Sequence, residues 1–288
     1  MIPSNFEYKR VSSVNEALLH LSAGGDTKLL AGGHSLIPAM KLRLNSPATL
    51  IDIGRIPELK QIDISGETLS LGGGVTHGDI EHHAQIREVM PMLSEAAGLI
   101  GDPAVRNNGT LGGSLVHADP AADWPGVMIA ANATIVVRSS GGQREIAADD
   151  FFKGFYTTDL QEGEILTEVR IPLNPTGTGK LVSVYEKFMQ PASRFAIVGC
   201  AVVMRIDRGP TCTYARIGFS GVSDMAFRDT TLEGALMNQI LSGDKIEEAV
   251  AQAAEGKDIL SDPFASERYR KHLAKVYAKR ALNRAVSM

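Results

Sequence analysis

Hydrophobic and polar positions alternate along the first half of the chain in short blocks, some at helical spacing and some at strand spacing. Val14 to Leu21 reads as an amphipathic helix with Ser12, Ser13 or Asn15 as candidate caps. Lys28 to Ala31 is a short apolar strand ending in Gly32-Gly33, Leu36 to Leu42 reads as helix, and Thr49 to Ile53 as strand. Gln61 to Ile64 and Thr68 to Leu71 flank Ser65-Gly66 in a hairpin pattern. Thr76 is placed to cap a helix through His77 to Ala84, and Met92 to Ile100 gives another. Gly101 to Pro120 is polar, glycine-rich and long, with a loop expected at Asn107 to Ser114. An apolar helix near Pro125 to Ala131 follows, then strands Thr134 to Val137 and Arg144 to Ala147 joined across Ser140-Gly141-Gly142.

The pattern breaks after Ile171-Pro172, and the turn formers from Asn174 to Gly179 make the best linker in the chain. Three β-rich runs come next, Leu181 to Phe188, Ala196 to Asp207 and Thr211 to Ser220. Helices are expected at Thr231 to Leu241, Ile246 to Ala254, and from Ser266 onward. In the last of these Tyr269, Leu273, Val276 and Tyr277 form one apolar stripe, opposite Arg268, Lys271, Lys275, Lys279 and Arg284. Strands followed by segregated helices predict an α+β lobe.

Composition narrows the function classes. The chain has 288 residues, ample for two domains, and carries 29 Lys+Arg against 33 Asp+Glu, a net charge of −4. That balance argues against wrapping a nucleic-acid backbone. No window approaches the roughly 18 apolar residues of a membrane span, and the N-terminus has no signal-peptide pattern, so a cytoplasmic protein is expected. The two cysteines, Cys200 and Cys212, are too few for an iron–sulfur cluster, which takes about four thiolates. The 29 glycines are clustered, which locates the places where a ligand can approach backbone N–H groups closely.

Two glycine motifs stand out. Ala31-Gly32-Gly33-His34-Ser35 follows a strand and precedes a helix, the setting of an anion site, with Ser35 as an added donor. It is neither GxxxxGK[ST] nor GxGxxG, and no Lys stands where a triphosphate would need one. Asn107-Asn108-Gly109-Thr110-Leu111-Gly112-Gly113-Ser114 is the second, with Asp119 and Asp123 beyond it. Two such motifs about 80 residues apart suit a ligand with a pyrophosphate and a polyol, which points toward a flavin dinucleotide; two unrelated turns in a glycine-rich fold is the plainer reading.

AGGHSLIPAMKLRL, DPAVRNNGTLGGSLVHADPAADWP, GEILTEVRIP, YEKF and RFAIVGCAVV together resemble the medium, FAD-binding subunits of molybdenum hydroxylases, most of all those of carbon monoxide dehydrogenases. The resemblance runs from Pro3 to the last helix. It implies a vanillyl-alcohol-oxidase-type FAD-binding domain of two α+β lobes over residues 1–176, and a smaller C-terminal α+β domain over 177–288. It also implies FAD-contacting roles for Leu29, Leu30, Ala31, Gly32, Gly33, His34, Ser35 and Leu36 in the first motif, whose amides hold the pyrophosphate. Thr110, Leu111, Gly112, Gly113 and Ser114 fall in the second, on the pyrophosphate and ribityl side. Asp123 matches a carboxylate that accepts from flavin hydroxyls, and Ile100 and His117 match lining positions. Leu166 matches an apolar residue against the cofactor, Lys187 a basic residue near the isoalloxazine, and Phe195 an aromatic that covers it. Ser114 stands where carbon monoxide dehydrogenases have Asn and Phe195 where they have Tyr, and the stretch from Met189 to Arg194 is less basic.

By the same resemblance the chain is an oxidoreductase subunit without bond-breaking residues of its own. Its partners are a molybdopterin-binding large subunit and a 2Fe-2S small subunit, in a dimer of heterotrimers. A self-sufficient flavin oxidase is the alternative, disfavoured because only about 110 residues follow Thr178. A nucleotide-responsive binding protein without redox chemistry is a third reading. His77 and Glu81 are i, i+4, but a third metal ligand is missing, so a solvated helix face is expected there rather than a metal. His34 reads as loop packing rather than as a base.

Overall fold

The computed structural model describes residues 2–288. Its first lobe comprises β1(Glu7–Arg10), α1(Val14–Ser22), β2(Thr27–Leu30), α2(Leu36–Lys41) and β3(Thr49–Asp52). The strands form a parallel sheet in the order β1-β3-β2, with Thr49 opposite both Glu7 and Thr27. Ser13 is the α1 cap, its hydroxyl oxygen accepting from the Glu16 N–H, while Ser12 donates to the Glu16 carboxylate. Val14, Ala17 and Leu18 then face Ile51, Ile56 and Ile165, so the α1 stripe closes a small core.

The second lobe is an antiparallel five-stranded sheet in the order β4(Ile62–Ser65), β5(Thr68–Gly72), β10(Ile165–Pro172), β6(Thr134–Ser139), β7(Gly142–Ala147). The Ser65-Gly66 hairpin joins β4(Ile62–Ser65) to β5(Thr68–Gly72), with Gly66 at φ 57°. From β5 the chain runs through α3(His77–His82), α4(Ala84–Val89), α5(Pro91–Leu99), α6(Pro103–Arg106), α7(Leu111–His117) and α8(Asp123–Ala130). Then follow β6(Thr134–Ser139), β7(Gly142–Ala147), α9(Ala148–Phe151), the hairpin β8(Phe152–Gly154) and β9(Thr157–Thr158), and β10(Ile165–Pro172). Two expectations change here. The helix through His77 to Ala84 breaks at His83, which turns extended and caps α4, its Nδ1 accepting from Ile86 N–H. The loop expected at Asn107 to Ser114 is helical from Leu111, because Thr110 caps α7, and Asp102 caps the short helix α6 before it.

In the C-terminal third, β11(Lys180–Met189), β12(Ala196–Ile206), β13(Cys212–Ser220) and β14(Phe227–Arg228) form an antiparallel meander. One face packs under α10(Thr230–Leu236), α11(Gly243–Val250) and α12(Glu267–Ser287). The first of these ends at Leu236 rather than Leu241, since Asn238 takes a left-handed φ of 60°. The other face of the meander contributes Tyr185, Ala201 and Val203 to the core around α5 and α8. Helix α8 can lie against β13 because a Cβ on Gly218 would overlap the Gly126 carbonyl oxygen. Gly126 N–H donates to Ser220 Oγ at 3.0 Å across the same contact, which fixes the N-terminal end of α8 and with it Asp123. The basic face expected on the last helix is partly tied down, with Arg284 paired to Glu186 at 2.9 Å and to Glu95. Among the described residues no helix is long and apolar enough to cross a membrane.

Candidate functional site

A cavity of about 460 Å³ opens where the first lobe, α7, β10 and the β11–β12 hairpin converge. The two glycine motifs meet on one wall of it. A Cβ on Gly32 would overlap the carbonyl oxygen of Asn108, so the first motif can sit against the second only as glycine.

The first motif is the turn from β2 into α2. Gly33 passes through the left-handed region at φ 72°, and the Gly32, Gly33, His34, Ser35 and Leu36 backbone N–H groups have no acceptor among the described residues. Consecutive free N–H groups beside a cavity are an anion site, because each is a donor that water or a ligand must satisfy. His34 donates from Nδ1 to the Gly32 carbonyl at 2.8 Å, which ties its ring to the turn.

The second motif is different in kind. Thr110 caps α7 and accepts from Gly113 N–H at 3.1 Å, while Leu111 N–H donates to Val75 O and Gly112 N–H to Gly73 O, both at 2.9 Å. The amides from Leu111 to Ser114 are therefore already used within the chain. Gly112 is glycine because a Cβ would stand 2.6 Å from Gly73 O, whereas Gly113 faces the cavity, with the Thr110 hydroxyl its near neighbour and Ala31 next at 4.0 Å. This motif contributes a floor without side chains, plus the Thr110 and Ser114 hydroxyls, rather than an amide cradle.

Asp123, only 4% exposed, lies at the start of α8 on the cavity wall. It accepts from Lys187 Nζ at 2.8 Å and from the Tyr185 hydroxyl. Burial and the Asp123 charge push the Tyr185 phenol well above its usual range, so it serves as a neutral donor. A carboxylate has about four lone-pair sites, which leaves Asp123 capacity for a ligand hydroxyl. Lys187 itself is not on the wall: its side chain is fully buried behind Asp123 and also donates to Leu99 O at 3.2 Å. Leu30 and Leu111 likewise turn away from the cavity, and Leu111 is part of the central core. The remaining expected residues, Leu29, Ala31, Leu36, Ile100, His117, Leu166 and Phe195 among them, all line it.

Phe195 closes one side from the β11–β12 hairpin and is 44% exposed. Beside it Arg194, at φ 62°, also lines the cavity, and its Nε is buried with no partner among the described residues. Sequence reasoning missed Arg194, Gly73 and His77. For the last two, the run Gly72-Gly73-Gly74 just before Thr76 was the available signal. His77 is no solvated helix residue. It is 4% exposed, accepts at Nδ1 from the Trp124 indole N–H at 3.0 Å, and touches the cavity. Glu81 is bound to Arg106 at 2.7 Å, and among the described residues no group of three His, Cys, Asp or Glu is arranged to hold a metal.

Residues 4–174 match the family described as FAD binding domain in molybdopterin dehydrogenase, and residues 183–285 the CO dehydrogenase flavoprotein C-terminal domain. The chain belongs to the molybdopterin dehydrogenase FAD-binding family. It is 41% identical to the carbon monoxide dehydrogenase medium chain of Hydrogenophaga pseudoflava, over 99% of this chain and 98% of that one. It is 34% identical to the glyceraldehyde dehydrogenase medium chain of Sulfolobus acidocaldarius, over 98% of each. The solved carbon monoxide dehydrogenase from Hydrogenophaga pseudoflava lacking the Mo-pyranopterin moiety superposes with a TM-score of 0.94 at 41% identity, covering 100% of this chain and 99% of that one. The mixed α+β fold is thus that of the family, FAD is the cofactor of its first domain, and the chain is a medium subunit of an oxidoreductase. The site fits that cofactor: unpaired amides suit a pyrophosphate, Gly113 leaves room beside it, and the Asp123 carboxylate suits hydroxyls.

One pH effect follows from His77. Burial first, then the nearby His34 and Arg106, lower its pKa from 6.5 to about 4. The unfolded chain therefore binds a proton in this window that the folded chain refuses. Stability is complete above pH 6.5 and falls by about 3 kcal/mol as the pH drops to 4. Urea midpoints of the flavin-free chain between pH 7 and 4 should show this loss, and His77→Phe should flatten it.

Proposed function

We propose that this chain is the electron-transfer subunit of a molybdenum-containing hydroxylase, relaying electrons from 2Fe-2S clusters of a partner chain through FAD to an external acceptor. The observation that carries the reading is the run of unpaired amides from Gly32 to Leu36 opening on a cavity that also holds the Asp123 carboxylate. When bound, FAD supplies the ability to take electrons singly and deliver one or two. The chain's own part is to hold it: the Gly32–Leu36 turn at the pyrophosphate, Asp123 at hydroxyls, Ile100 and Leu166 as apolar wall, Phe195 as cover. Lys187 acts through Asp123, holding that carboxylate in place.

Partners follow from what the chain lacks. Cys200 and Cys212 are both buried and unpaired, so neither can ligate a cluster as the protein stands. A molybdopterin-binding large subunit and a 2Fe-2S small subunit complete the enzyme, two such heterotrimers pair, and the assembly works in the cytoplasm. Reduced buried thiols are compatible with that compartment. We place the domain boundary at residue 176, giving an FAD-binding domain of residues 1–176 and a C-terminal domain of 177–288.

Acid precipitation of the purified chain should release a flavin with the mass of FAD. Recovery of FMN, or of flavin that stays attached to the denatured chain, would refute the site as described. The isolated chain's flavin should be bleached by dithionite but not by CO, aldehydes or N-heterocycles, whereas the assembled enzyme's substrate should reduce it. Turnover of an organic donor by the isolated chain at the rate of the assembly would instead indicate a self-sufficient oxidase.

A further inference from the structure

The His77 side chain is fixed in an unusual way for a residue of the cavity wall. An indole N–H only donates, so the Trp124 Nε1 contact at 3.0 Å requires His77 Nδ1 to be unprotonated. In the neutral ring the proton then sits on Nε2. That atom has no hydrogen-bond partner among the described residues, yet it is not sealed away as Arg194 Nε and Arg270 Nε are. A buried donor that no protein group satisfies and that retains access to a cavity is a group awaiting a ligand acceptor.

Its neighbours say which acceptor. A Cβ on Gly109 would stand 2.7 Å from His77 Nε2, so the ring edge lies directly against the Gly109 backbone. Gly109 Cα in turn would lie 2.8 Å from a Cβ on Gly32, the first residue with an unpaired amide. The backbone holds the arrangement, with His77 N–H donating to Gly109 O at 3.0 Å. His77 and the amide turn thus both line the cavity, each packed against Gly109.

We propose that His77 contacts the cofactor directly, its Nε2–H donating to a diphosphate oxygen while Trp124 acts as a positioning residue that sets the tautomer. This rests on the FAD reading above and adds a side-chain donor to it. Because the ring is neutral and held by a buried indole, it offers one directed N–H without swinging or changing charge. Its ring stays beside Trp124, at a centroid separation of 6.0 Å.

The full chain, stripped of flavin, tests this with three probes: FAD and ADP, which carry the diphosphate, and riboflavin, which does not. In the 15N-histidine spectrum of the wild-type chain, His77 should appear as the Nε2–H tautomer, and ADP or FAD should shift its Nε2–H resonance while riboflavin leaves it in place. His77→Phe should weaken FAD and ADP binding about 10- to 100-fold, the range of a hydrogen bond to a charged group. Riboflavin binding should be unchanged, and His77→Gln, which restores a donor, should recover part of the loss. A lower melting temperature of the flavin-free His77→Phe chain with unchanged FAD affinity would reduce His77 to a packing residue and overturn the proposal. So would a wild-type Nε2–H resonance indifferent to ADP. If the wild-type chain binds neither FAD nor ADP, the flavin reading itself falls, and this proposal with it.

Discussion

A Gly33→Val chain is expected to fold, to keep its circular-dichroism spectrum, and to bind FAD about 100-fold or more weakly than the parent, the loss of two charge-assisted hydrogen bonds. Gly33 sits at φ 72°, where a β-branched residue is strained, but a Cβ there meets only side-chain atoms, Ile37 Cγ1 and Leu30 Cδ1, both at 3.2 Å. The strain, about 1–2 kcal/mol, is relieved by letting the turn relax toward negative φ, and that relaxation re-aims the free amides. Gly112→Val is expected to behave differently. Its Cβ would press on the Gly73 backbone at 2.6 Å and push α7 off the end of β5, breaking the Gly112 N–H to Gly73 O bond. The expected cost is about 3 kcal/mol or more of stability, read in denaturant melts of the flavin-free chain. Equal stability of the two variants would show that the two glycine motifs do the same job, contrary to their hydrogen-bond accounts.

That difference was invisible in the sequence, where the two motifs look alike. A glycine pair beside hydroxyls announces close approach but not what approaches. At Gly33 the neighbours are the Ile37 and Leu30 side chains; at Gly112 it is the Gly73 backbone, brought there by β5 and its partner β10. Local signals were read well where the determinants are local: the Ser65-Gly66 hairpin, the α1 cap, and the long apolar runs of the C-terminal meander. They failed where partners are distant. Strand β10 is the centre of its sheet, pairing with β5 and β6, yet Ile165 to Pro172 carries no turn chemistry that names either neighbour. Helices α6 and α7 are four and seven residues long, too short for a periodic stripe to outweigh their glycines and prolines. His77 and Trp124 are 47 residues apart, and their pairing turned an apparent surface histidine into a buried one.

The Asp123–Lys187 pair, 64 residues apart, carries the other large expected effect. Lys187 has a side chain with no solvent exposure, and Asp123 has nearly none, so the pair is buried in the folded chain. Lys187→Met keeps the stem's volume but leaves the carboxylate with only the Tyr185 hydroxyl as a partner. Breaking one side of a buried ion pair costs about 3–5 kcal/mol, which for a chain of this size lowers the melting temperature by about 10 °C. Asp123→Asn should do at least as much harm, because it strands an ammonium whose one other partner among the described residues is the Leu99 carbonyl. The double variant Asp123→Leu/Lys187→Met removes both charges and should recover most of the lost stability, since an apolar pair of similar volume is often neutral or better. FAD affinity should not recover with it, because Asp123 lines the cavity and its carboxylate is the acceptor assigned to the cofactor's hydroxyls. Melting curves and FAD titrations of the three variants separate the two roles. A double variant that is stable and still binds FAD as tightly as the parent would leave Asp123 a purely structural residue, and the ribityl contact would have to be sought at Thr110 and Ser114 instead.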